Sequence, residues 1–294
     1  MDLKFISWNS HSLCNKFTEL SIFIDRHSID IVLICESWLT NGVTFDIPGF
    51  ISYRSDRFRG GVAIFIRSSI PHFGFTQTNF HYAESCSISI FINNTAVKFS
   101  SIYCSPSASR AQSKTFFQKV LSQTGPHVVA GDFNCKHIEW NNLVIDRKGA
   151  DLLNLLNEVN YKVFKPDEPT LYPYNGDPSI VDFVVAKSFD SFSKIKVVND
   201  LSSDHLPILF SVYGSTSRQD SDNLNLSKVN WPKFLRLVEA NCHYLLTSEF
   251  NSQNSIDLAI DSVSSLISSA LGSSAPRKKI LLLRYKYSPA VNLL

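Results

Sequence analysis

The stretch His127-Val-Val-Ala-Gly-Asp-Phe-Asn134 combines a short apolar run with two polar side chains that follow it directly. The run His127–Gly131 lacks the alternation of a half-exposed strand, which predicts a β-strand covered on both faces. Asp132 and Asn134 then stand at the end of this strand. An acid next to a buried strand is costly unless it binds a cation or pairs with one. This stretch therefore predicts a buried strand that presents functional groups at its end.

Polar residues stand at comparable places elsewhere in the chain. Asn9 follows the first predicted strand, Glu36 ends the second, Asp182 interrupts an apolar run, and Asp204 precedes His205. Each has an ordinary explanation when taken singly, because a lone acid at a strand end is often a turn or cap residue. Taken together and in this order, they predict side chains that converge on one site.

The donor types in this set indicate the kind of metal. Carboxylates with an amide, one histidine and no thiolate suit Mg²⁺ or Mn²⁺ rather than Zn²⁺. A hard cation beside a His–Asp pair indicates phosphoryl chemistry. The six cysteines are scattered without a CxxC pair, so we expect them to be reduced packing residues rather than zinc ligands.

Apolar, β-rich runs and amphipathic patterns alternate along most of the chain. The predicted strands are Leu3–Trp8, Asp30–Cys35, Gly61–Arg67, Ser85–Ile92, Ala96–Tyr103, His127–Gly131, Ile180–Ala186 and Leu206–Tyr213. The predicted helices are Lys16–His27, Ala108–Gln123 and Asp146–Asn157. Because the middle of the chain holds strands without helices between them, two packed sheets with outer helices are favoured over a doubly wound parallel sheet.

A change in composition after Tyr213 predicts a domain boundary. We expect a main domain over residues 1–213, a polar linker over 214–229 and a helical appendage over 230–294. The appendage contains two amphipathic patterns, at residues 230–246 and 256–271, before a basic and apolar end at 277–294.

Composition limits the class of protein. Of the 294 residues, 44% are hydrophobic and 18% are charged, which excludes a globally disordered chain. The length excludes a small fold stabilised by disulfides. No apolar run approaches the roughly 18–20 residues of a membrane span, so we expect an intracellular protein with no membrane contact. The net charge of only +2 means that any binding of nucleic acid must rest on local patches.

The ordered motifs resemble those of the endonuclease/exonuclease/phosphatase superfamily, and more narrowly the endonuclease domain of jockey-type non-LTR retrotransposons. The matching stretches are Ser7-Trp8-Asn9, Cys35-Glu36-Ser37-Trp38-Leu39, Gly60–Ile64, Ile102–Pro106, Gly131–His137 with Trp140, Glu168-Pro169-Thr170, Ser179–Asp182 and Ser203-Asp204-His205. The resemblance covers residues 1–213 and implies an α/β fold, a four-layer sandwich of two packed mixed sheets flanked by helices, with a helical C-terminal appendage. Residues 230–234 also resemble the segment that leads toward a reverse transcriptase, a domain that we expect this chain to lack.

The resemblance implies an endonuclease that depends on Mg²⁺, with Mn²⁺ as the alternative ion, and that needs no small-molecule cofactor. Its expected substrate is double-stranded DNA in the nucleus. It would nick one strand and leave a 3′-hydroxyl. The residues implied to be catalytic are Asp132, Asn134, His205, Asp182 and Tyr103, and those implied to hold the metal are Glu36, Asn9 and Asp204. Contacts with phosphate or DNA are expected at Thr170, Ser179, Arg54, Arg57, Arg59, Lys136 and His137. One departure is His11, which stands where the apurinic enzymes have an acid, so no metal contact is expected there.

Several alternatives stay open at this point. Thr170 and Ser179 could hold the loop around Asp182 or cap a turn instead of binding phosphate, and the arginines could form a solvated surface. The same site could serve a phosphoinositide or sphingomyelin phosphodiesterase, because fold alone does not fix the substrate. The chain could also be an inactive remnant of a retroelement that only binds nucleic acid.

Overall fold

The computed structural model describes residues 2–40, 42–216, 228–242 and 253–276. The chain divides into two compact units, Met1–Arg218 and Gln219–Leu294. In the first unit the elements, in chain order, are β1 (Leu3–Asn9), α1 (Phe17–His27), β2 (Ile31–Cys35), β3 (Phe50–Ser55), β4 (Val62–Arg67), β5 (His72–Phe80), β6 (Ala83–Ile92), β7 (Thr95–Cys104), α2 (Arg110–Leu121), β8 (His127–Asp132), α3 (Arg147–Glu158), β9 (Lys162–Phe164), β10 (Asp182–Lys187), β11 (Lys196–Val197) and β12 (Ile208–Val212).

Two mixed six-stranded sheets form the centre of this unit. The first sheet has the strand order β11-β12-β1-β2-β4-β3 and the second has β5-β6-β7-β8-β10-β9. Apolar side chains of both sheets, such as Phe5 and Phe99, pack between them. A second apolar cluster joins the outer face of the second sheet to α2 and α3, and a third joins the outer face of the first sheet to α1. The predicted four-layer sandwich is therefore confirmed.

The strand directions bring the sequence-predicted acids to one edge. Strand β1 runs parallel to β2, with Asn9 opposite Cys35, so that Asn9 and the following Glu36 end at the same edge of the first sheet. In the second sheet β10 runs antiparallel to β8, which places Asp182 directly opposite Asp132. Because the two sheets pack face to face, both groups of polar side chains meet where the strands end.

Two helices make up the described part of the second unit. Helix α4 (Trp231–Asn241) begins after Asn230, whose side chain accepts a hydrogen bond from the Lys233 amide at 3.0 Å. It contacts α5 (Gln253–Ser274) through the Lys233 ammonium, which donates to the Ser273 carbonyl at 2.7 Å. The predicted linker falls mainly on residues 217–227, and the predicted basic end on residues 277–294, both outside the described residues. The division into domain, linker and appendage stays a prediction.

Across the part of the chain that the structure describes, no helix has the length and apolar character that crossing a membrane requires.

Candidate active site

A buried asparagine links the two sheets at the edge where the acids meet. The Asn9 amide nitrogen Nδ2 donates to Glu36 Oε1 and to Asp132 Oδ2, both at 2.9 Å. Asn9 and Asp132 are buried, and Glu36 is half-buried. The structure therefore brings together two carboxylates that are almost 100 residues apart in the chain, as the sequence pattern predicts.

His205 adjoins this group from the other side. Its Nδ1 lies 2.8 Å from Asp182 Oδ2, and its Nε2 lies 3.9 Å from Asp132 Oδ2. Ligand atoms of the three residues lie within 4.8 Å of one another. The imidazole is therefore held between two buried carboxylates, with its two ring nitrogens facing different acids.

The surroundings of these groups shift their proton affinities. Burial alone lowers the pKa of His205, but the charges of Asp182 and Asp132 more than offset it and raise the pKa to about 10. Burial raises the pKa of Asp132, and the positive charge of His205 opposes that rise. The raised pKa favours the imidazolium form of His205, whose positive charge offsets part of the buried negative charge.

Two residues of the site adopt left-handed backbone conformations. Glu36 has φ +49° and Asn134 has φ +47°, a region that non-glycine residues enter at a cost. Asn134 fixes the Asp132 carboxylate with two hydrogen bonds, from its backbone N at 3.0 Å and from its Nδ2 at 2.7 Å. Trp38 Nε1 donates to Glu36 Oε2 at 3.2 Å. These bonds hold both carboxylates in fixed positions.

Two glycines are required by close backbone approach near the acids. At Gly131, which precedes Asp132, a Cβ would lie 2.1 Å from the Ile102 carbonyl oxygen, and φ is +148°. At Gly61, φ is +87° and a Cβ would lie 2.5 Å from Ser37 Oγ. The backbone of Gly61 also accepts a hydrogen bond from the Ser37 amide at 3.1 Å. Because a side chain would clash at these positions, glycine allows the chain segments next to the acids to approach their neighbours closely.

Tyr103 and Asp204 differ in their exposure to solvent. The Tyr103 side chain is buried, and burial followed by the charges of Glu36 and Asp132 raises its pKa well above the usual range. Its hydroxyl is therefore a protonated hydrogen-bond donor beside Glu36. Asp204 is exposed and lies 3.3 Å from His11 Nδ1. Asp204 thus belongs to the outer rim of the site, beside His11.

Thr170 and Ser179 lie in the segments that support Asp182. The Thr170 hydroxyl, fully buried, accepts hydrogen bonds from the backbone amides of Val181 and Asp182 at 3.2 and 3.1 Å. Ser179 exchanges backbone hydrogen bonds with Leu171 at 2.9 and 3.0 Å. Of the roles considered from the sequence, the Thr170 contacts match the holding of the Asp182 segment, whereas the buried Ser179 hydroxyl has no hydrogen-bond partner among the described residues. A phosphate contact by either residue stays a prediction.

The three arginines near Gly60 differ in their partners. Arg54 pairs with Asp56 at 2.6 Å and is largely buried, and Arg57 binds the buried Glu84 at 2.9 Å. Arg59 is exposed, and its guanidinium lies 5.7 Å from the centre of the Phe58 ring. Arg59 is therefore the one of the three that has no ion pair within the described residues. Contact between DNA and these arginines stays a prediction.

Lys136 and His137 follow the Asp132 turn. The Lys136 amide donates to Asp146 Oδ2 at 2.9 Å, and His137 Nδ1 accepts from the Glu139 amide at 3.0 Å. The His137 ring also packs against Trp140, with 5.2 Å between ring centres. Both residues thus help to shape the turn, and their contact with phosphate stays a prediction.

Some supporting residues were not singled out from the sequence. Trp8 Nε1 donates to the His205 carbonyl at 3.1 Å, and Ser203 Oγ donates to the Asn9 carbonyl at 2.9 Å. The Lys16 ammonium donates to the carbonyls of Ser10, at 2.6 Å, and of Ser202. Trp8 and Ser203 lie within quoted motifs and could have been suspected, whereas nothing in the sequence connects Lys16 to the site.

The donor set fits a hard divalent cation. Glu36 Oε1 and Asp132 Oδ2 both lie 2.9 Å from Asn9 Nδ2 and therefore close together, and Asp182 Oδ1 is buried without a hydrogen-bond partner among the described residues. Such oxygen ligands suit Mg²⁺ or Mn²⁺. The residues able to hold the ion are Glu36 and its neighbours in this cluster.

Comparison with known proteins finds similarity to proteins of mobile elements. Residues 97–209 match the family model described as endonuclease-reverse transcriptase. The chain is 29% identical over 289 residues to the probable RNA-directed DNA polymerase from transposon BS of Drosophila melanogaster, covering 95% of this chain and 32% of that protein. It is 27% identical over 278 residues to the RNA-directed DNA polymerase from mobile element jockey of Drosophila funebris, covering 92% and 30%. The chain spans about a third of the length of these relatives.

Solved structures show the fold. The endonuclease domain of TRAS1, a telomere-specific non-LTR retrotransposon, superimposes with a TM-score of 0.60 at 20% identity, covering 71% of this chain and 98% of that domain. An endonuclease/exonuclease/phosphatase family protein from Leptotrichia buccalis gives 0.54 at 18% identity, covering 72% and 99%. The chain has the endonuclease/exonuclease/phosphatase fold. Its predicted relationship to jockey-type non-LTR retrotransposon proteins is confirmed by the sequence matches.

Proposed function

We propose that this chain hydrolyses a phosphodiester of double-stranded DNA, nicks one strand and leaves a 3′-hydroxyl. The proposal rests on the convergence of Glu36, Asn9 and Asp132 with the His205–Asp182 pair at one edge of the two sheets. Phosphodiester hydrolysis needs an oriented water, a group that absorbs negative charge and a stabiliser of the leaving oxygen. The cluster has a candidate for each of these roles.

Asp132 is assigned to the attacking water. Asn134 fixes its carboxylate through two hydrogen bonds, which leaves the orientation of the acid little freedom. Burial raises the pKa of Asp132, which makes this carboxylate a stronger base than an exposed one. Asp132 therefore orients the water and accepts its proton.

His205 is assigned to the phosphate. Asp182 binds Nδ1 at 2.8 Å, which leaves Nε2 as the nitrogen facing Asp132 and the reacting group. A protonated Nε2 donates to a phosphate oxygen and stabilises its negative charge. Tyr103, whose hydroxyl keeps its proton, donates to a second oxygen or to the leaving group.

Glu36, with Asn9 beside it and Asp204 at the rim, is assigned to a divalent cation, with Mg²⁺ first and Mn²⁺ as the alternative. When bound, such a cation withdraws charge from the phosphate oxygens and lowers the pKa of water. The carboxylate of Glu36 is fixed for this task by Asn9 and Trp38.

The relationship to retrotransposon proteins favours DNA over a lipid headgroup as the substrate. We assign the chemistry to residues 1–213, with 214–229 as a linker and 230–294 as the segment that leads toward a reverse transcriptase in related elements. A DNA substrate places the activity in the nucleus, as part of the same proposal.

Nicking of supercoiled plasmid tests the proposal. Purified protein is incubated with plasmid in Mg²⁺ or in EDTA, beside the variants Glu36→Ala and His205→Ala. We expect conversion to open circles in Mg²⁺ alone, with each variant slower by about 100-fold or more. Asp190→Asn serves as the control, because Asp190 is an exposed acid that pairs with Lys162 on the surface.

Two other outcomes would contradict the proposal. Folded protein that leaves plasmid intact but releases phosphate from phosphoinositide, or phosphocholine from sphingomyelin, would indicate a lipid phosphodiesterase. Folded protein without activity on any of these substrates would indicate an inactive remnant.

A further inference from the structure

A polar cavity of about 260 Å³ lies on the outer face of the second sheet, at the end of α2. Its lining residues are Thr76, Gln77, Thr78, Ser85, Ser87, Lys98, Ser100, Lys119, Val120, Gln123 and His127. None of them belongs to the candidate active site. His127 begins β8 and Asp132 ends it, so the two sites are about 17 Å apart along that strand.

The cavity follows from the size of the outward-facing side chains. Along β6 and β7, alternate residues face outward, and those that line the cavity are Ser85, Ser87, Lys98 and Ser100. Ile102, the outward residue directly opposite Ser85, packs instead against the apolar face of α2. Small hydroxyl residues and the end of α2 thus leave a volume that no apolar side chain fills.

The lining carries positive charge and no carboxylate. Lys98 Nζ donates to Gln123 Oε1 at 3.1 Å, and neither Lys98 nor Lys119 forms an ion pair with a carboxylate of the described residues. Partial burial lowers the pKa of Lys98, which shows that the ammonium is already partly withdrawn from water. An unpaired cation in such a place favours an anion beside it.

One hydroxyl that lines the cavity makes no hydrogen bond within the described residues. Ser85 is 3% exposed, and its side chain makes no hydrogen bond to another described residue. Its neighbours differ, because Ser87 and Ser100 bond to each other at 2.7 Å and Ser100 also bonds to His127 Nε2 at 2.7 Å. A hydroxyl that lines a cavity and has no hydrogen-bond partner in the protein is available to a ligand.

His127 contributes no charge to the cavity. Both of its ring nitrogens have partners, since Nδ1 lies 2.6 Å from the Tyr161 hydroxyl. Burial, followed by the charges of Lys98 and Lys187, lowers its pKa to about 3. The positive charge of the lining therefore comes from the lysines alone.

We propose that this cavity is a second binding site, for a compact oxyanion of the phosphate class. The ammonium groups of Lys98 and Lys119 supply the charge, and Ser85 with Thr76 and Thr78 supplies hydroxyl donors. Ammonium and hydroxyl groups together are a usual donor set for phosphate. The volume is below the roughly 300 Å³ at which drug-sized pockets begin, so it suits a phosphate or small phosphate monoester.

Calorimetric titration of the full chain with inorganic phosphate tests this site, with sodium chloride at equal ionic strength as the reference. We expect saturable binding to one site per chain, weakened about tenfold or more in Lys98→Met and in Ser85→Val, which fills the cavity. Lys114→Met is the matched control, because Lys114 lies on α2 but does not line the cavity. Thermal unfolding midpoints show whether the variants are folded, and Lys98→Met retains the plasmid-nicking rate.

A second arm distinguishes the source of the phosphate. In EDTA, the binding of a 5′-phosphorylated oligonucleotide is compared with that of its 5′-hydroxyl form. Tighter binding of the phosphorylated form, with the difference lost in Lys98→Met, identifies nucleic acid as the source of the phosphate. Equal binding of the two oligonucleotides, with saturable binding of inorganic phosphate, identifies the free anion. Absence of phosphate binding in both arms, or equal weakening in Lys98→Met and Lys114→Met, would overturn the proposal.

Discussion

At the scale of single residues, the orientation of His205 depends on Asp182. The carboxylate binds Nδ1 at 2.8 Å, and the Asp182 backbone is itself fixed by the buried Thr170 hydroxyl. Asp182→Asn keeps the shape and removes the charge, so we expect nicking under saturating DNA to slow by about 10²–10⁴-fold with little change in DNA affinity. Single-turnover nicking and fluorescence anisotropy in EDTA measure the two quantities. A large loss of affinity at normal turnover would contradict a positioning role.

His127 makes a separate prediction about stability and pH. Because burial and the nearby Lys98 and Lys187 lower its pKa to about 3, the unfolded chain binds a proton at mildly acidic pH that the folded chain does not. Stability is therefore lost as the pH falls through the unfolded pKa of about 6.5 toward the folded one. Between about pH 7.5 and about pH 5, we expect the wild type to lose about 2 kcal/mol more than His127→Gln.

Urea unfolding at both pH values gives this difference. His81→Gln is the control, because His81 is exposed and its replacement leaves the buried imidazole in place. An equal loss of stability in wild type and His127→Gln would show that His127 is protonated in the folded protein.

At the scale of elements, the loop between β8 and α3 is hydrogen-bonded to the segment that directly precedes Asp182. The buried Asn142 side chain donates to the Ile180 carbonyl at 2.8 Å and accepts from the Ile180 amide at 3.0 Å. Asn142→Ala leaves both backbone groups unpaired, so we expect a loss of about 1–3 kcal/mol in the free energy of unfolding. The control Leu143→Ser, at a side chain 97% exposed, should stay within about 0.5 kcal/mol of wild type. Urea denaturation measures both, and equal effects would contradict the anchoring role.

The elements also show what the sequence could predict. The central strands β2, β4, β8 and β10 are predicted from the sequence because burial on both faces leaves apolar runs in it. Strand β5 was missed because it lies at the edge of its sheet, largely exposed, and its residues carry no apolar run. Strands β9 and β11 have three and two residues, too short for any periodicity. Strand β3, half-exposed at an edge of the first sheet, was missed for a related reason.

For the site, the order of motifs predicted which acids would meet, because strand ends at one edge of a sheet lie close together. The sequence does not show which groups hold them. Lys16 reaches the carbonyls of Ser10 and Ser202 across the fold, and such contacts follow only from the final packing. The pairing of Arg54 with Asp56, two residues apart, likewise became visible only with side-chain geometry.

At the scale of the whole molecule, the first unit contains every residue of the three apolar clusters. Their members lie between Leu3 and Val212, and the site residues lie in the same range. We therefore expect a chain of residues 1–216 to unfold cooperatively and to nick plasmid within about threefold of the full chain, since additional contacts contribute little at distant sites. Thermal unfolding and plasmid nicking measure this, and an aggregated or inactive product would show that the rest of the chain is needed.

The gathering of Glu36, Asp132 and their neighbours around one divalent cation is tested most directly by anomalous diffraction from crystals soaked in Mn²⁺. We expect a single strong manganese peak in contact with the Glu36 carboxylate, and its loss in Glu36→Gln crystals of the same form. A manganese peak away from the cluster of Asn9, Glu36 and Asp132, or crystals in which no ion binds there, would contradict the assignment of these side chains to a metal-dependent active site.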